Sequence, residues 1–571
     1  MKKYFCLVLL TSIVWQLFGQ SGKIEWRERI YAQTDKHLYL AGEPILVKIL
    51  TTDERQIPLV FSKIAYAELV ADTMAHVQIK VELTNGTGAG RMLLPADLPT
   101  GYYRLIAYTQ FMRNEGMDVF FEKNITVVNT FQSGYYPAES EQPLSNAAIT
   151  QVQSATSGTV SLQPDKPAYT KRERGELIIN GLPENMHTLS VSVTGKDFAP
   201  IVVPDESFRK NLSKPAKDLS GAYLPEYEGH VITGKIVDNQ TETVIKGLPA
   251  ENLVNDAVFI SAAIAFPGEK IRFFAGKKNN KDEIQFITTG ISGMKELATV
   301  LFHSDERYRM DIQSPFVSRY APKSMPELQI DSAHYHMLLA RSVALQVYRY
   351  FSEESSENQQ ISEPHFDITP TFSYLLDEYT RFTTMREVFI EFIAGARFRR
   401  RDGKQELQVY TRRGAQQEYG TMPLVLLDGL PITDHELIYN YDPLSVEHIN
   451  IYFGPCILGG LQFDGIIELI TYRRLHADLN LARSTQVLTY EGPQPVYRLY
   501  SPDYSDEKNR QSRMPDGRHT LLWNPDVQTE GKTSISLPFY TSDLTGDFQA
   551  SMEGMTKDGK FIHATVLFNV K

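Results

Sequence analysis

Cysteine is nearly absent from this sequence. Two occur among 571 residues, Cys6 and Cys456. Cys6 lies in the N-terminal apolar stretch, so the segment after it holds one cysteine and no intramolecular disulfide. Cys456 reads as a small buried hydrophobe. Long hydrophobic runs are missing too. The longest, 5–18, is 14 residues and is broken by Thr11, Ser12 and Gln16, whereas a membrane-crossing helix needs about 20. Positive charge is in deficit, with 58 Lys and Arg against 69 Asp and Glu, a net of −11. That excludes a nucleic-acid binder relying on bulk positive charge.

Complete catalytic motifs are also lacking. His435-Glu436-Leu437-Ile438-Tyr439 begins like a zinc-protease helix, but the second histidine is replaced by Tyr439. Gly531-Lys532-Thr533 ends like a phosphate loop, but Asp526 stands where the first glycine is needed. Gly86-Thr87-Gly88-Ala89-Gly90 is followed by Arg91 where a dinucleotide fingerprint requires glycine, and it reads as a hairpin. His334 and His336 diverge on a helix. No Gly-x-Ser-x-Gly elbow occurs. These absences predict a chain that is not an enzyme and carries no cofactor or metal, leaving only a hydrolase site assembled from distant residues as an enzymatic alternative.

What is present points to a globular, strand-rich chain. Hydrophobic residues make up 42%, with 30 Tyr and 29 Phe, which suit strands. The length suggests about four domains. Lys2 and Lys3, the apolar stretch and the small polar residues Gln20-Ser21-Gly22 read as a secretory signal over 1–20. Its removal leaves a net charge of −13. Export follows, to the periplasm or the outer membrane and with the cell surface open, with membrane association only through partners.

A repeat organises the first third. Gln33, Asp35, Lys36 and Tyr39 recur as Gln163, Asp165, Lys166 and Tyr169 at an offset of 130. Short strands over 45–50, 65–69, 77–83, 102–108, 125–128, 176–179 and 189–193 are separated by Pro, Gly and Asn turns. The pattern is that of tandem β-sandwiches, with a Ser-, Gln- and Pro-rich linker over 132–156. Further strands are expected over 229–237, 256–265, 271–274 and 284–288. A helix is expected over 331–351 with Leu339, Val343, Val347 and Tyr350 along one side.

Tyr31-Ala32-Gln33-Thr34-Asp35-Lys36, Tyr39, Ala41-Gly42-Glu43 and Leu98-Pro99-Thr100-Gly101-Tyr102-Tyr103-Arg104-Leu105 together resemble the macroglobulin MG2 domain. Residues 107–114 resemble its version in secreted and outer-membrane proteins of some Gram-negative bacteria. The resemblance implies an immunoglobulin-like sandwich with no chemistry of its own. The thioester Cys-Gly-Glu-Gln of macroglobulin traps is absent, since Cys456 lies in Gly-Pro-Cys-Ile. Residues 226–320 are weakly similar to the carboxypeptidase regulatory-like domain, which is not itself catalytic.

Within 366–475, a helix with Met385, Val388, Phe389 and Phe392 on one face is expected after a Thr383 or Thr384 cap. Leu427-Asp428-Gly429-Leu430-Pro431, Val446-Glu447-His448-Ile449 and Gly465-Ile466-Ile467-Glu468-Leu469-Ile470-Thr471 follow in order. This order resembles the plug domain of TonB-dependent outer-membrane receptors. Such a plug precedes a barrel of about 22 strands, while 96 residues follow position 475 here. The resemblance therefore implies a plug-like domain without its barrel.

The expected architecture is mostly β, with tandem immunoglobulin-like β-sandwiches plus a small α+β plug-like domain. Its divisions are 1–20 signal, 24–131 MG2-like sandwich, 157–225 second macroglobulin-like sandwich and 226–320 regulatory-like sandwich. A helical linker (321–365), the plug-like domain (366–475) and a C-terminal sandwich (476–571) complete it. The expected function is a non-catalytic exported scaffold or binding subunit, associated through the plug-like domain with an outer-membrane β-barrel or envelope protein complex. The alternative is a cell-surface adhesin or polymer-binding protein. Candidate partner-binding residues are Arg399, Arg400 and Arg401, within a basic cluster with Arg397, Lys404, Arg412 and Arg413, together with Asp428 and Gly429. The cluster reads either as a charged edge that blocks aggregation or as a dock for an acidic partner or lipid head groups. Asp428-Gly429 also fits a plain turn. Asp72-Thr73-Met74 and Asp331-Ser332-Ala333 match a bacterial O-glycosylation pattern, and read otherwise as a turn and a helix cap.

Overall fold

A computed structural model describes residues 27–132, 160–197, 223–245, 261–265, 272–279, 281–302, 307–325, 328, 330, 332–352, 368–413, 416–473, 479–494, 497 and 499–571. The expected signal, the 132–156 linker beyond its first residue, and Asp331 lie outside them. The chain is mostly β, with eight sheets among the described residues.

Residues 29–128 form a first sandwich. One sheet joins Arg29–Thr34, Pro44–Thr52 and Thr87–Leu93. The other orders Leu38–Leu40, Phe121–Val128, Gly101–Tyr108, Ile64–Ala71 and Met74–Glu82. Aliphatic and aromatic side chains such as Val47, Ile49, Tyr66, Leu105 and Phe121 fill the space between them. Stacked Tyr66–Tyr108 and Tyr108–Phe120 rings, 5.4 and 4.4 Å apart, add directional packing.

The second sandwich differs from the expected division. Residues 160–197 supply only four strands, Ser161–Pro164, Ala168–Tyr169, Arg174–Asn180 and Met186–Gly195. A sandwich needs about seven. The C-terminal segment supplies the rest. Arg174–Asn180 pairs with Ser534–Tyr540. Met186–Gly195 lies between Gly546–Thr556 and Thr520–Asn524, and Phe561–Val570 extends the same sheet. One core unites Tyr169, Leu189 and Val191 with Phe539, Phe548 and Phe568. The expected 157–225 and 476–571 units are thus two halves of one sandwich.

Between the halves lies a third sandwich, itself interrupted. Its first sheet centres on His230–Asp238, with Ile284–Thr288 and Tyr308–Gln313 on either side. Its second sheet orders Phe273–Ala275, Ser261–Ala265, Met294–Phe302 and Thr485–Glu491. The last strand arrives after the 368–473 unit, so the chain nests one insertion inside another.

The 368–473 unit has a five-stranded sheet ordered Phe372–Leu375, Val446–Leu458, Leu461–Thr471, Leu424–Leu427, Leu430–Pro431. Three strands, Ala396–Arg401, Lys404–Arg413 and Gln416–Gly420, form a second sheet. Helix Met385–Glu391 opens on a capping box, Thr384 with Glu387, and buries Met385, Val388 and Phe389. This core continues across the Ser261–Ala265 sheet of the third sandwich. Strand alternation explains how: Ala262, Ile264 and Leu297 face the sandwich interior, while Ala263, Ala265 and Ala298 face the 368–473 core.

Helix Ser332–Ser352 forms as its periodicity predicts, but another face is buried. Val343 is exposed, whereas Leu338, Arg341 and Ser342 are buried. Leu338 joins Leu38, Leu40 and Val128 of the first sandwich. An ion pair, rather than a wholly apolar stripe, anchors the rest.

Candidate functional site

The basic cluster falls on one hairpin. Ala396–Arg401 and Lys404–Arg413 pair antiparallel around Asp402-Gly403. Both turn residues have positive φ, 49° and 88°, the type I′ geometry that Asp-Gly favours. Phe398 anchors the first strand by edge-to-face contacts with Phe389 and Tyr439, 4.9 and 5.1 Å away. Its neighbours Arg397, Arg399, Arg400, Arg401 and Lys404 are exposed. Arg397 lies 3.8 Å over the Tyr419 ring and donates through Nε to Gln408. Arg400 Nε donates to the Gly403 carbonyl at 3.4 Å. Arg401 has Asp402 at 3.8 Å, both side chains largely in solvent, so that pair neutralises little. The side chains of Arg412 and Arg413 lie outside the described residues.

Asp428 and Gly429 are elsewhere and differently employed. Asp428 is buried, and its carboxylate accepts from both the Thr471 N–H and the Thr471 hydroxyl at 2.6 Å. With φ of 50° and 82°, Asp428 and Gly429 make a second type I′ turn, between Leu427 and Leu430. A carboxylate with both oxygens engaged inside the fold is not offered to a partner. Asp428 is therefore a tie across the sheet.

The near-motifs have structural work. His435 Nδ1 accepts from the Leu407 N–H at 3.0 Å, and Glu436 Oε1 from the Gln405 N–H at 2.5 Å. Together they cap the outer edge of the hairpin's return strand. Gly86 is a positive-φ turn residue, φ 76°, and strand Thr87–Leu93 carries the rest of the Gly86–Gly90 run. Lys532 sits at a surface turn with Glu530 3.5 Å away. His334 and His336 lie on the helix as expected. Thr73 follows the positive-φ turn residue Asp72 at a hairpin tip. Ser332 begins the helix, with its side chain outside the described set. Cys456 is half-buried on Val446–Leu458, and burial pushes its thiol up to about 11. That makes it a poor nucleophile. Among the described residues, no group of three or more His, Cys, Asp or Glu is placed to hold a metal.

The 33–43 repeat builds something the sequence did not reveal. Asp35 Oδ1 accepts from the Tyr39 hydroxyl at 2.7 Å and from the Leu46 N–H at 3.1 Å. Lys36 lies between Asp35 and Glu43, 3.2 and 3.6 Å away. Glu43 takes a forked pair of bonds from Arg341 at 2.7–2.9 Å, and Arg341 also reaches Asp197 at 2.9 Å. Thr520 of the second sandwich donates to Asp35 at 2.9 Å. All these groups are buried or nearly so. Burial alone would raise the Glu43 carboxyl, but Arg341 and Lys36 outweigh it and hold it low. For Asp197 burial wins over Arg341, and its carboxyl rises to about 6. Above this network the two sandwiches meet along a polar seam, where Tyr31 donates to Glu553 at 2.7 Å and Lys48 to Thr188 at 2.5 Å. A cavity of about 60 Å³ lined by residues such as Thr34, Ser192 and Ser551 lies in the seam. Arg341 was missed because it is one cation in a mixed helix. The available signal was its spacing of three from Leu338, on the face that turned out buried.

Comparison with known proteins found no matching family model and no matching curated protein. Solved structures do match at low identity. The native conformation of E. coli alpha-2-macroglobulin is 10% identical over 96% of this chain and 40% of its own, with TM-score 0.23. Salmonella alpha-2-macroglobulin reacted with methylamine is 10% identical over 95% and 39%, with TM-score 0.24. The Yersinia pseudotuberculosis adhesin InvE is 10% identical over 51% and 60%, with TM-score 0.13. The chain spans about two fifths of the length of those macroglobulins. A likeness this low fixes neither family nor function.

Proposed function

We propose that this chain is a non-catalytic, exported scaffold whose 368–473 unit engages an outer-membrane β-barrel or envelope protein complex through the basic hairpin, with the sandwiches as spacers. The observation that carries this reading is the hairpin itself. Arg399, Arg400, Arg401 and Lys404 are exposed together in a chain of net charge −11. Such a local reversal of sign steers and orients an acidic partner. The export signal and the plug resemblance are sequence readings that agree with it. The side chains of the zinc-protease-like fragment, His435 and Glu436, are occupied in holding a strand, which supports a role without catalysis. The adhesin alternative expects exposed aromatic rows on a sandwich face. Among the described residues, the exposed aromatics Phe131, Tyr227, Phe372, Tyr379, Tyr472 and Tyr500 include none on a sandwich strand.

Deleting 368–473 would uncover Ala263, Ala265 and Ala298 of the third sandwich, so point variants are the cleaner test. Wild type and an Arg399→Glu, Arg400→Glu, Arg401→Glu triple variant would be extracted from envelopes in mild detergent. The reading expects a stoichiometric envelope protein with wild type and its loss with the variant. Recovery of wild type alone would transfer the argument to a free adhesin. Equal co-purification by both forms would remove the hairpin from the interface.

A further inference from the structure

The kind of contact the hairpin makes can be read from its two edges, a deduction that rests on the proposed function above. Ala396–Arg401 is the end strand of its sheet, and among the described residues no strand pairs with its outer edge. Register decides which backbone groups face out. Arg401–Lys404, Arg399–Glu406 and Arg397–Gln408 are the pairs counted from the two-residue turn. They exchange the ladder hydrogen bonds, so the N–H and C=O of Phe398 and Arg400 point to the open edge. The same count sends the N–H groups of Gln405 and Leu407 outward from the return strand, where Glu436 and His435 accept them. One edge of the hairpin is sealed by side chains and the other is bare.

The bare edge has a charge code. Arg397, Arg399 and Arg401 share one face at every second position, about 6.8 Å apart, and Arg400 projects from the other. Like charges directly opposite each other disfavour strand pairing. A second copy of this strand would oppose arginine with arginine, so the edge repels its own kind. A strand with acidic side chains at every second position would instead place one acidic residue opposite each arginine, Cβ atoms about 5 Å apart. Open backbone groups supply affinity and the alternating side chains supply selection.

We propose that the outer edge of Ala396–Arg401 accepts an extended acidic segment of the partner protein as an added β-strand, with alternate carboxylates facing Arg397, Arg399 and Arg401. Arg400 supplies the decisive test. Arg400→Ala and Arg400→Pro remove the same charge, but only proline removes an outward N–H, and neither touches a ladder bond within the hairpin. The probe is a fluorescent octapeptide of alternating Glu and Val, with a Lys and Val octapeptide as control, titrated into the full chain by anisotropy. Circular dichroism and thermal melting confirm that each variant is folded. The expected result is binding of the Glu peptide only, a few-fold weakening by Arg400→Ala, and a further loss of about tenfold by Arg400→Pro, one backbone hydrogen bond to a bound strand. Arg399→Glu should also weaken Glu-peptide binding. Equal binding by the Ala and Pro variants would overturn strand addition, as would failure of wild type to bind the Glu peptide. So would binding to phosphatidylglycerol vesicles in place of the peptide. The two readings fail separately. Envelope association lost in the triple variant, with Ala and Pro variants alike on peptide, sinks only strand addition. Association retained in the triple variant sinks the proposed interface.

Discussion

Two copies of one local device sit 130 residues apart and have opposite surroundings. In both, a Tyr hydroxyl donates to an Asp carboxylate at 2.7 Å, as Tyr39 to Asp35 and Tyr169 to Asp165. In both, the same Asp oxygen caps a strand N–H, of Leu46 or Glu176. In both, the Lys beside it faces a Glu seven residues on, Glu43 or Glu173. The first copy is buried against helix Ser332–Ser352 and the second sandwich. The second stands in solvent, with the Lys166 and Glu173 side chains 47% and 27% exposed. A motif that merely shapes a sandwich corner in one place has been recruited as an inter-domain lock in the other. The recruiting residue is Arg341, which has no counterpart at the second copy among the described residues.

Breaking the buried copy should therefore cost far more. Arg341→Ala takes the guanidinium from both Glu43, which keeps only Lys36 at 3.6 Å, and Asp197, and loss of one partner from a buried ion pair costs about 3–5 kcal/mol. The largest fall in melting temperature is expected there, with easier proteolysis between the first two sandwiches. An unchanged melting curve would show that the lock is ornamental. Tyr39→Phe should rank next, costing about 1–3 kcal/mol, because it removes a hydroxyl bonded within a buried site. Tyr169→Phe should cost less, since water can reach Asp165 and replace the lost donor. Equal losses in chemical denaturation would refute the contrast.

The copies should also differ in acid. Glu173 is held down to about 2, first by its hydrogen bond from Lys166. Its contribution is complete above the ordinary value of 4.5 and is lost as pH falls toward 2. Glu43 is likewise lowered and behaves with the same sign. Asp197 has the opposite sign. Its carboxyl is raised from 3.8 to about 6, so its ionisation weakens the buried lock as pH rises from about 4 through 6. Burial holds the His37 and His230 imidazoles well below their ordinary value, which costs stability as pH falls from 7 to 5 in any form. Calorimetry over that range should therefore show wild type gaining stability relative to Asp197→Asn. If the variant follows wild type over that range, the pH effect arises elsewhere. The smallest change is expected for Lys166→Met, an exposed pair in the solvated copy. A large loss there would erase the distinction between the copies.

Legibility in the sequence followed the range of the interactions. The repeat was visible because its bonds span four to eleven residues. The helix at 385–391 was visible because its cap and apolar face are local. The Asp428-Gly429 turn was visible as a turn, but the bonds of Asp428 to Thr471, 43 residues away, were not. The nesting was hidden, because Arg172 meets Asp543 across 371 residues and no periodicity encodes a partner so distant. The boundary near 225 failed for this reason. The helix 332–352 was legible as a helix but not in its orientation. Apolar periodicity marked Val343, whereas an arginine bonded across two sandwiches fixed the buried face. His435 and Glu436 looked like fragments of a metal motif and prove to seal a strand edge, a role visible only once the hairpin is placed beside them.

The most direct test of the functional account compares two hairpin tips in cells. A photoreactive amino acid would replace Asp402, beside the arginines, or Asp558, in the turn after Gly546–Thr556. Both side chains are well exposed, and neither bears the positive charge under test. The account predicts an ultraviolet-dependent crosslink from position 402 to an envelope protein and none from 558. No adduct at 402, or the same adduct from both tips, would contradict it.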